Sequence, residues 1–187
     1  MAKALMPLAG GVEEMEAVIV IDTFRRAGWD VVAAGLDSGP VKASRGVLLH
    51  PDAQWKDVDP DAFEILVIPG GRGGTDRLRR HSEVLEAVRR FHAGGKRVAA
   101  VCAGPLVLKE AGILDGRRIT CHPSAEEEMK PIPRIDQPVV IDGNIITSQG
   151  AGTTFDFALN IIEQVDGPGP AQQIADALVL RRIPLHL

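Results

Sequence analysis

The stretch RVAAVCAGPLVLKEAG, Arg97 to Gly112, changes character at one residue. Before Cys102 it is a short run of valine and alanine, the pattern of a strand covered on both faces. After Cys102 come Ala103, Gly104 and Pro105, then an apolar stretch that closes at Gly112. Pro105 suits the first turn of a helix, where its absent N–H costs nothing. A strand that passes into a helix through small residues has the form of a nucleophile elbow, a sharp turn that lifts one side chain above a sheet. The helix end would set partial positive charge and free N–H groups near the sulfur. Such placement lowers a thiol pKa from about 8.5 toward roughly 4–7. Cys102 is therefore read as a reactive thiolate, with an inert buried thiol as the alternative.

Outward from this junction, strands and helices alternate. KALMPLAGG (3–11) is a short apolar strand ending at glycines, in which Pro7 suggests an early end or a bulge. EEMEAVIVIDTFRRAGWD (13–30) has apolar residues at helical spacing and stops at Gly28. DVVAAGL (30–36) is a second strand, VKASRGVLLHPDA (41–53) reads as short antiparallel pieces turning at Gly46, and EILVIPGG (64–71) is a buried strand. Helical patterns follow in TDRLRRH (75–81) and SEVLEAVRRFHAGG (82–95), with Ser82 as N-cap and Gly94-Gly95 as the stop. PVVIDGNIITSQ (138–149) is a hairpin turning at Asp142-Gly143, and helices complete the chain in AGTTFDFALNIIEQV (151–165) and GPAQQIADALVL (169–180). The proline-rich Lys130–Pro138 reads as an irregular excursion. This order implies a parallel sheet covered on both sides, whose ligands bind beyond the C-terminal strand ends. Gly10-Gly11, Gly70-Gly71 and Cys102 converge there.

The 187 residues are 45% hydrophobic and 25% charged, enough for one compact domain spanning 1–187. Net charge is −4, and the 21 Lys and Arg fall largely into short pairs, including Arg181-Arg182, without interleaved aromatics. Nucleic acid is thereby set aside as a primary partner. Two cysteines do not make a disulfide framework, which favours a reducing compartment. The first residues read as a strand and not a leader, since Pro7, two glycines and then Glu13-Glu14 interrupt the apolar run. No apolar run approaches ~18 residues, so no membrane span is expected and the location is read as cytoplasmic.

Cys102 with its neighbours in AAVCAGP, GGVEEMEAV (10–18), IPGG (68–71), CHP (121–123) and TSQGAGTTFDFAL (147–159) occur in a familiar order. The chain resembles the ThiJ/PfpI superfamily over nearly its full length, in the branch of the parkinsonism-associated DJ-one protein and its bacterial relatives. The resemblance implies a three-layer, flavodoxin-like α/β sandwich, similar to class I glutamine amidotransferases, with its elbow at Cys102. It also implies catalytic roles for Cys102, Glu16 and His122, with the backbone N–H groups of Gly71 and Ala103 stabilising an oxyanion. No cofactor and no metal are expected. A carboxylate beside a thiolate would repel it, so one of the two is expected to stay protonated.

The implied activity is cysteine-dependent removal of reactive dicarbonyls such as methylglyoxal, or of their adducts with amines or thiols, by glyoxalase- or deglycase-type chemistry. The alternatives are a redox sensor or chaperone that oxidises Cys102 without turnover, a cysteine peptidase and a purely structural binding module. A peptidase is disfavoured because no His follows the nucleophile directly. Relatives of this branch imply a homodimer with the Glu16 helix near the contact. Several positions depart from the branch. Cys121 replaces a usual threonine and is read as an apolar filler. His50 and Ala43 stand where animal relatives carry extra cysteines, and Gln149 and Ala151 differ in the last loop.

Overall fold

The computed structural model describes residues 1–180; the Arg181-Arg182 pair lies outside the described residues. Seven strands form one sheet in the order β5-β2-β1-β6-β7-β9-β8. They are β1 (Lys3–Leu8), β2 (Asp30–Gly35), β5 (Ala53–Gln54), β6 (Ile65–Ile68), β7 (Arg97–Val101), β8 (Val139–Asp142) and β9 (Ile145–Ser148). All neighbours run parallel except the β8–β9 hairpin at one edge. A separate antiparallel pair, β3 (Val41–Lys42) and β4 (Leu48–Leu49), turns around Gly46, whose φ is +93°. Only part of the 41–53 stretch is thus antiparallel: Ala53 leaves it to extend the main sheet beside β2.

Side-chain alternation divides the core between the two faces of the sheet. On β6, Leu66 and Ile68 join one buried cluster, while Ile65 and Val67 join the other. The first cluster includes Val84, Val88 and Phe91 of α3 (Ser82–Ala93) and Leu106–Leu108 of α4 (Pro105–Glu110). The second includes Val20 and Phe24 of α1 (Glu14–Arg26), Phe157 and Ile161 of α6 (Thr154–Asp166) and Ile174 of α7 (Pro168–Ala177). Two shorter helices, α2 (Arg72–Leu78) and α5 (Glu126–Met129), flank the C-terminal strand ends. Among the described residues no helix is long and apolar enough to cross a membrane.

Two local expectations are corrected. Pro7 does not end β1, which pairs with β2 through Leu8. The β1–β6 pairing stops at Leu5, so the absent N–H of Pro7 falls beyond it. Ser82 is the first residue of α3, not its cap; His81 holds the cap position without a side-chain hydrogen bond. The last-turn stop is as read, with Gly94 at the C-cap and Gly95 at φ +70°.

The chain reverses direction across the sheet between β1 and β6, since β2 lies on one side of β1 and β6 on the other. A crevice opens beyond the strand ends at such a reversal. The segments that follow β1, β6 and β7 carry Glu16, Gly71 and Cys102 to it.

Candidate active site

Cys102 follows β7 directly and has φ +63°, a left-handed conformation uncommon for a residue with a side chain. That strain of about 1–3 kcal/mol persists only where the surroundings over-determine it, and here they do. The Cys102 N–H donates to Ser148 O at 3.0 Å, and its carbonyl accepts from the His122 N–H at 2.8 Å. Gly104 completes the turn by donating to Val101 O at 2.8 Å, and a Cβ on it would lie 2.6 Å from Ile68 O. The elbow grammar read from the sequence is therefore realised, with Pro105 as the first residue of α4.

Glu16 sits in the first turn of α1, only 1% exposed. Glu13 caps this helix by accepting the Glu16 N–H at 2.8 Å. Glu14 is also buried and accepts from Ser44 Oγ and the Arg45 N–H, both at 2.8 Å, which ties the β3–β4 turn to the cleft rim. The three neighbouring acids are thus divided between capping, bracing and the site. Glu16 Oε2 accepts the Gly70 N–H at 2.8 Å, whereas Oε1 is buried without a well-formed hydrogen bond. The carboxyl lies beside the Cys102 thiol, and each affects the other's ionisation.

Gly70 and Gly71 are required by close approach. A Cβ on Gly70 would come 2.5 Å from both Cys102 Cβ and Glu16 Oε2. Gly71 has φ +86°, and a Cβ there would overlap the Glu13 nitrogen and the Gly11 oxygen. The Gly71 and Ala103 N–H groups both interact with the sulfur and favour its ionised form.

Burial is the largest influence on both titrating groups. It pushes Glu16 up from 4.5 to about 7, against hydrogen bonding to Cys102 and Gly70. Burial, followed by the Glu16 charge and hydrogen bond, pushes Cys102 up to about 12, against Gly71 and Ala103. The helix end is therefore not the main influence on the sulfur. α4 has only six residues, and its end is outweighed by a packed sulfur and a carboxyl neighbour. Between about 7 and 12 the pair holds one proton and one negative charge between two atoms, and neither group titrates independently.

One cleft of about 870 Å³ brings together Glu16, Gly71, Cys102, Ala103 and His122, all five candidate residues, with Arg45 also in its lining. Cys121, adjacent to His122, points instead into the core and is fully buried. Gln149 donates to Asp136 at 2.8 Å, while Ala151 lines the cleft. Ser124, which sequence reasoning passed over, also lines the cleft and lies 2.8 Å from His122 Nδ1. A polar residue two positions beyond a histidine was the available signal. Glu128 bonds Arg72 and Arg79, joining α5 to the helix that begins after Gly71. Among the described residues no group of three or more His, Cys, Asp or Glu side chains gathers as metal ligands do.

The fold and site define an α/β protein with a cysteine elbow and a buried acid beside it. A sequence profile described as the DJ-1/PfpI family matches residues 2–164, and the chain belongs to that family. It is 41% identical over 180 residues to protein dj-1beta of Drosophila melanogaster, covering 95% of this chain and 96% of that one. It is 36% identical over 172 residues to glutathione-independent glyoxalase DJR-1.2 of Caenorhabditis elegans, covering 91% of each. Among solved structures, oxidized DJ-1 of Toxoplasma gondii superposes with a TM-score of 0.92 at 34% identity, covering 97% of this chain and 100% of the other.

Proposed function

We propose that the chain is a cofactor-independent glyoxalase- or deglycase-type enzyme that converts methylglyoxal, glyoxal or their early adducts to hydroxy acids. The observation that carries this reading is the Cys102–Glu16 pair, a strained elbow sulfur facing two N–H groups and a buried carboxyl oxygen with no completed hydrogen bond. A proton on Oε1 would let Glu16 donate toward the sulfur, giving the negative charge three donors; the opposite arrangement gives the carboxylate only the Gly70 N–H and a weak S–H donor. The reactive form is thus a thiolate beside a protonated Glu16. It forms when the pair loses its first proton near pH 7, so kcat/KM rises through that region.

Sγ adds to the aldehyde carbon of methylglyoxal, and the oxyanion is held by the Gly71 and Ala103 N–H groups. The oxyanion takes the Glu16 proton, leaving a carboxylate. This carboxylate removes the proton from the former aldehyde carbon, the hydroxyl proton passes to the neighbouring carbonyl oxygen, and Glu16 returns its proton to the neighbouring carbon, giving a lactoyl thioester. Water cleaves the thioester, releasing lactate and restoring the thiol with one proton on the pair. The net change is dicarbonyl plus water to hydroxy acid. The relative named as a glutathione-independent glyoxalase supports this reading at 36% identity. Purified protein is expected to consume methylglyoxal without added thiol, and Cys102→Ser to lose at least roughly a hundredfold in kcat; full turnover by Cys102→Ser refutes it.

The half-buried sulfur also supports oxidation without turnover as a second use of the site, and the oxidized state of the Toxoplasma gondii relative favours keeping it. For assembly, the reading is a homodimer through α1: Met15 and Val18 are 54% and 49% exposed, and Val47 and Leu48 on the adjoining β3–β4 turn are 49% and 58% exposed.

A further inference from the structure

After the buried Cys121 the chain turns at Pro123 and brings Ser124 back onto the His122 ring. The Ser124 backbone N–H donates to Nδ1 at 3.2 Å, and Ser124 Oγ lies 2.8 Å from the same nitrogen. A backbone N–H cannot accept, so Nδ1 must present its lone pair; the rotatable hydroxyl then donates to it as well. A neutral imidazole with its lone pair at Nδ1 carries hydrogen at Nε2. The ring also packs on Gly150, where a Cβ would come 3.3 Å from Cδ2, the carbon bonded to Nε2. His122 is further anchored by its own N–H, bonded to the carbonyl of Cys102. Tautomer, ring contact and backbone are therefore set together, in the cleft that holds the sulfur.

We infer that Ser124 is a positioning residue that holds His122 as the Nε2–H tautomer, making the imidazole a neutral hydrogen-bond donor to a substrate carbonyl oxygen and not a general base. The inference rests on the dicarbonyl reading for its substrate, and it divides the labour within that reading. When Glu16 removes the proton from the former aldehyde carbon, negative charge develops on the neighbouring carbonyl oxygen. A fixed N–H aimed at that oxygen stabilises the charge without giving up its hydrogen. Every proton that moves then travels through Glu16 or water, and none leaves His122.

The test uses the full-length protein with 15N-labelled histidine. Long-range proton–nitrogen correlation spectra distinguish the two tautomers without any turnover. The wild type is expected to show Nε2–H at His122. Ser124→Ala keeps the backbone donor but loses the hydroxyl, so Nε2–H is expected to persist while the Nδ1 resonance, freed of one donor, moves downfield. Its kcat for methylglyoxal should fall roughly three- to tenfold, the scale of one lost hydrogen bond, at little-changed KM. Ser124→Thr should restore both. His122→Gln, which keeps a donor but no base, should retain roughly tenfold more activity than His122→Ala. An Nδ1–H wild type, an unchanged Ser124→Ala spectrum, or a glutamine variant no better than alanine each overturns the inference. A protein that shows Nε2–H and the Ser124→Ala shift but consumes no dicarbonyl refutes the dicarbonyl reading and upholds the positioning by Ser124.

Discussion

Replacing Glu16 by glutamine removes one titrating site while keeping an oxygen to accept the Gly70 N–H. A free glutamate carboxyl titrates at 4.5, whereas the Glu16–Cys102 pair gives up its first proton at about 7. At 1.36 kcal/mol per pH unit this corresponds to roughly 3 kcal/mol. The folded chain keeps the proton to higher pH than the unfolded chain, so it binds more protons between these values. Wild-type stability therefore falls as pH rises from 4.5 and levels off above about 7. Glutamine has no proton to release, and burial, the largest influence on the Cys102 thiol, acts in both proteins. Urea unfolding near pH 4.5 and near pH 8 measures the difference. Relative to wild type, Glu16→Gln should gain roughly 3 kcal/mol on going from the acidic to the alkaline condition. Because Glu16 is 1% exposed, solvent screening does not erode this value much. Parallel stabilities for the two proteins at both pH values would refute the buried, reluctant carboxyl.

Gly71→Ala should lower stability by at least about 2 kcal/mol and abolish turnover, because its Cβ combines a positive φ with overlap of the Glu13 backbone; a thermal melt and a methylglyoxal assay check this. Val18→Lys places a charge on the exposed apolar face of α1 and should convert a dimer to monomer in sedimentation, with the secondary structure retained.

Periodicity and punctuation were enough to place most elements. The fully buried Ile65–Ile68 and the valine-alanine run before Cys102 read as strands because a two-sided strand has no polar alternation to hide it. Glycines marked the turns that needed positive φ, as at Gly28, Gly46 and Gly143. Short elements escaped: Glu126–Met129 spans one turn, too few residues to show a period, and Ala53–Gln54 gains its place only from its neighbour β2. At the site, small residues around Cys102 announced the elbow because local sterics demand them. The ionisation of the sulfur was not legible. It depends on how deeply core residues pack around it and on Glu16, 86 positions away in sequence, whereas the helix end that argued for acidity is local. The partners of His122 are a hydroxyl and an amide from the adjacent turn, which neither charge nor periodicity marks in the sequence.

Cys102 packs against the cores on both faces of the sheet, and its backbone is moored to Ser148 on one side and His122 on the other. With Gly70 and Glu16 closing a flank as well, any atom attached to the sulfur grows toward the cleft. Small modifications extend into open space and leave the architecture undisturbed. A group attached in any other direction would have to wedge apart two hydrophobic layers at once.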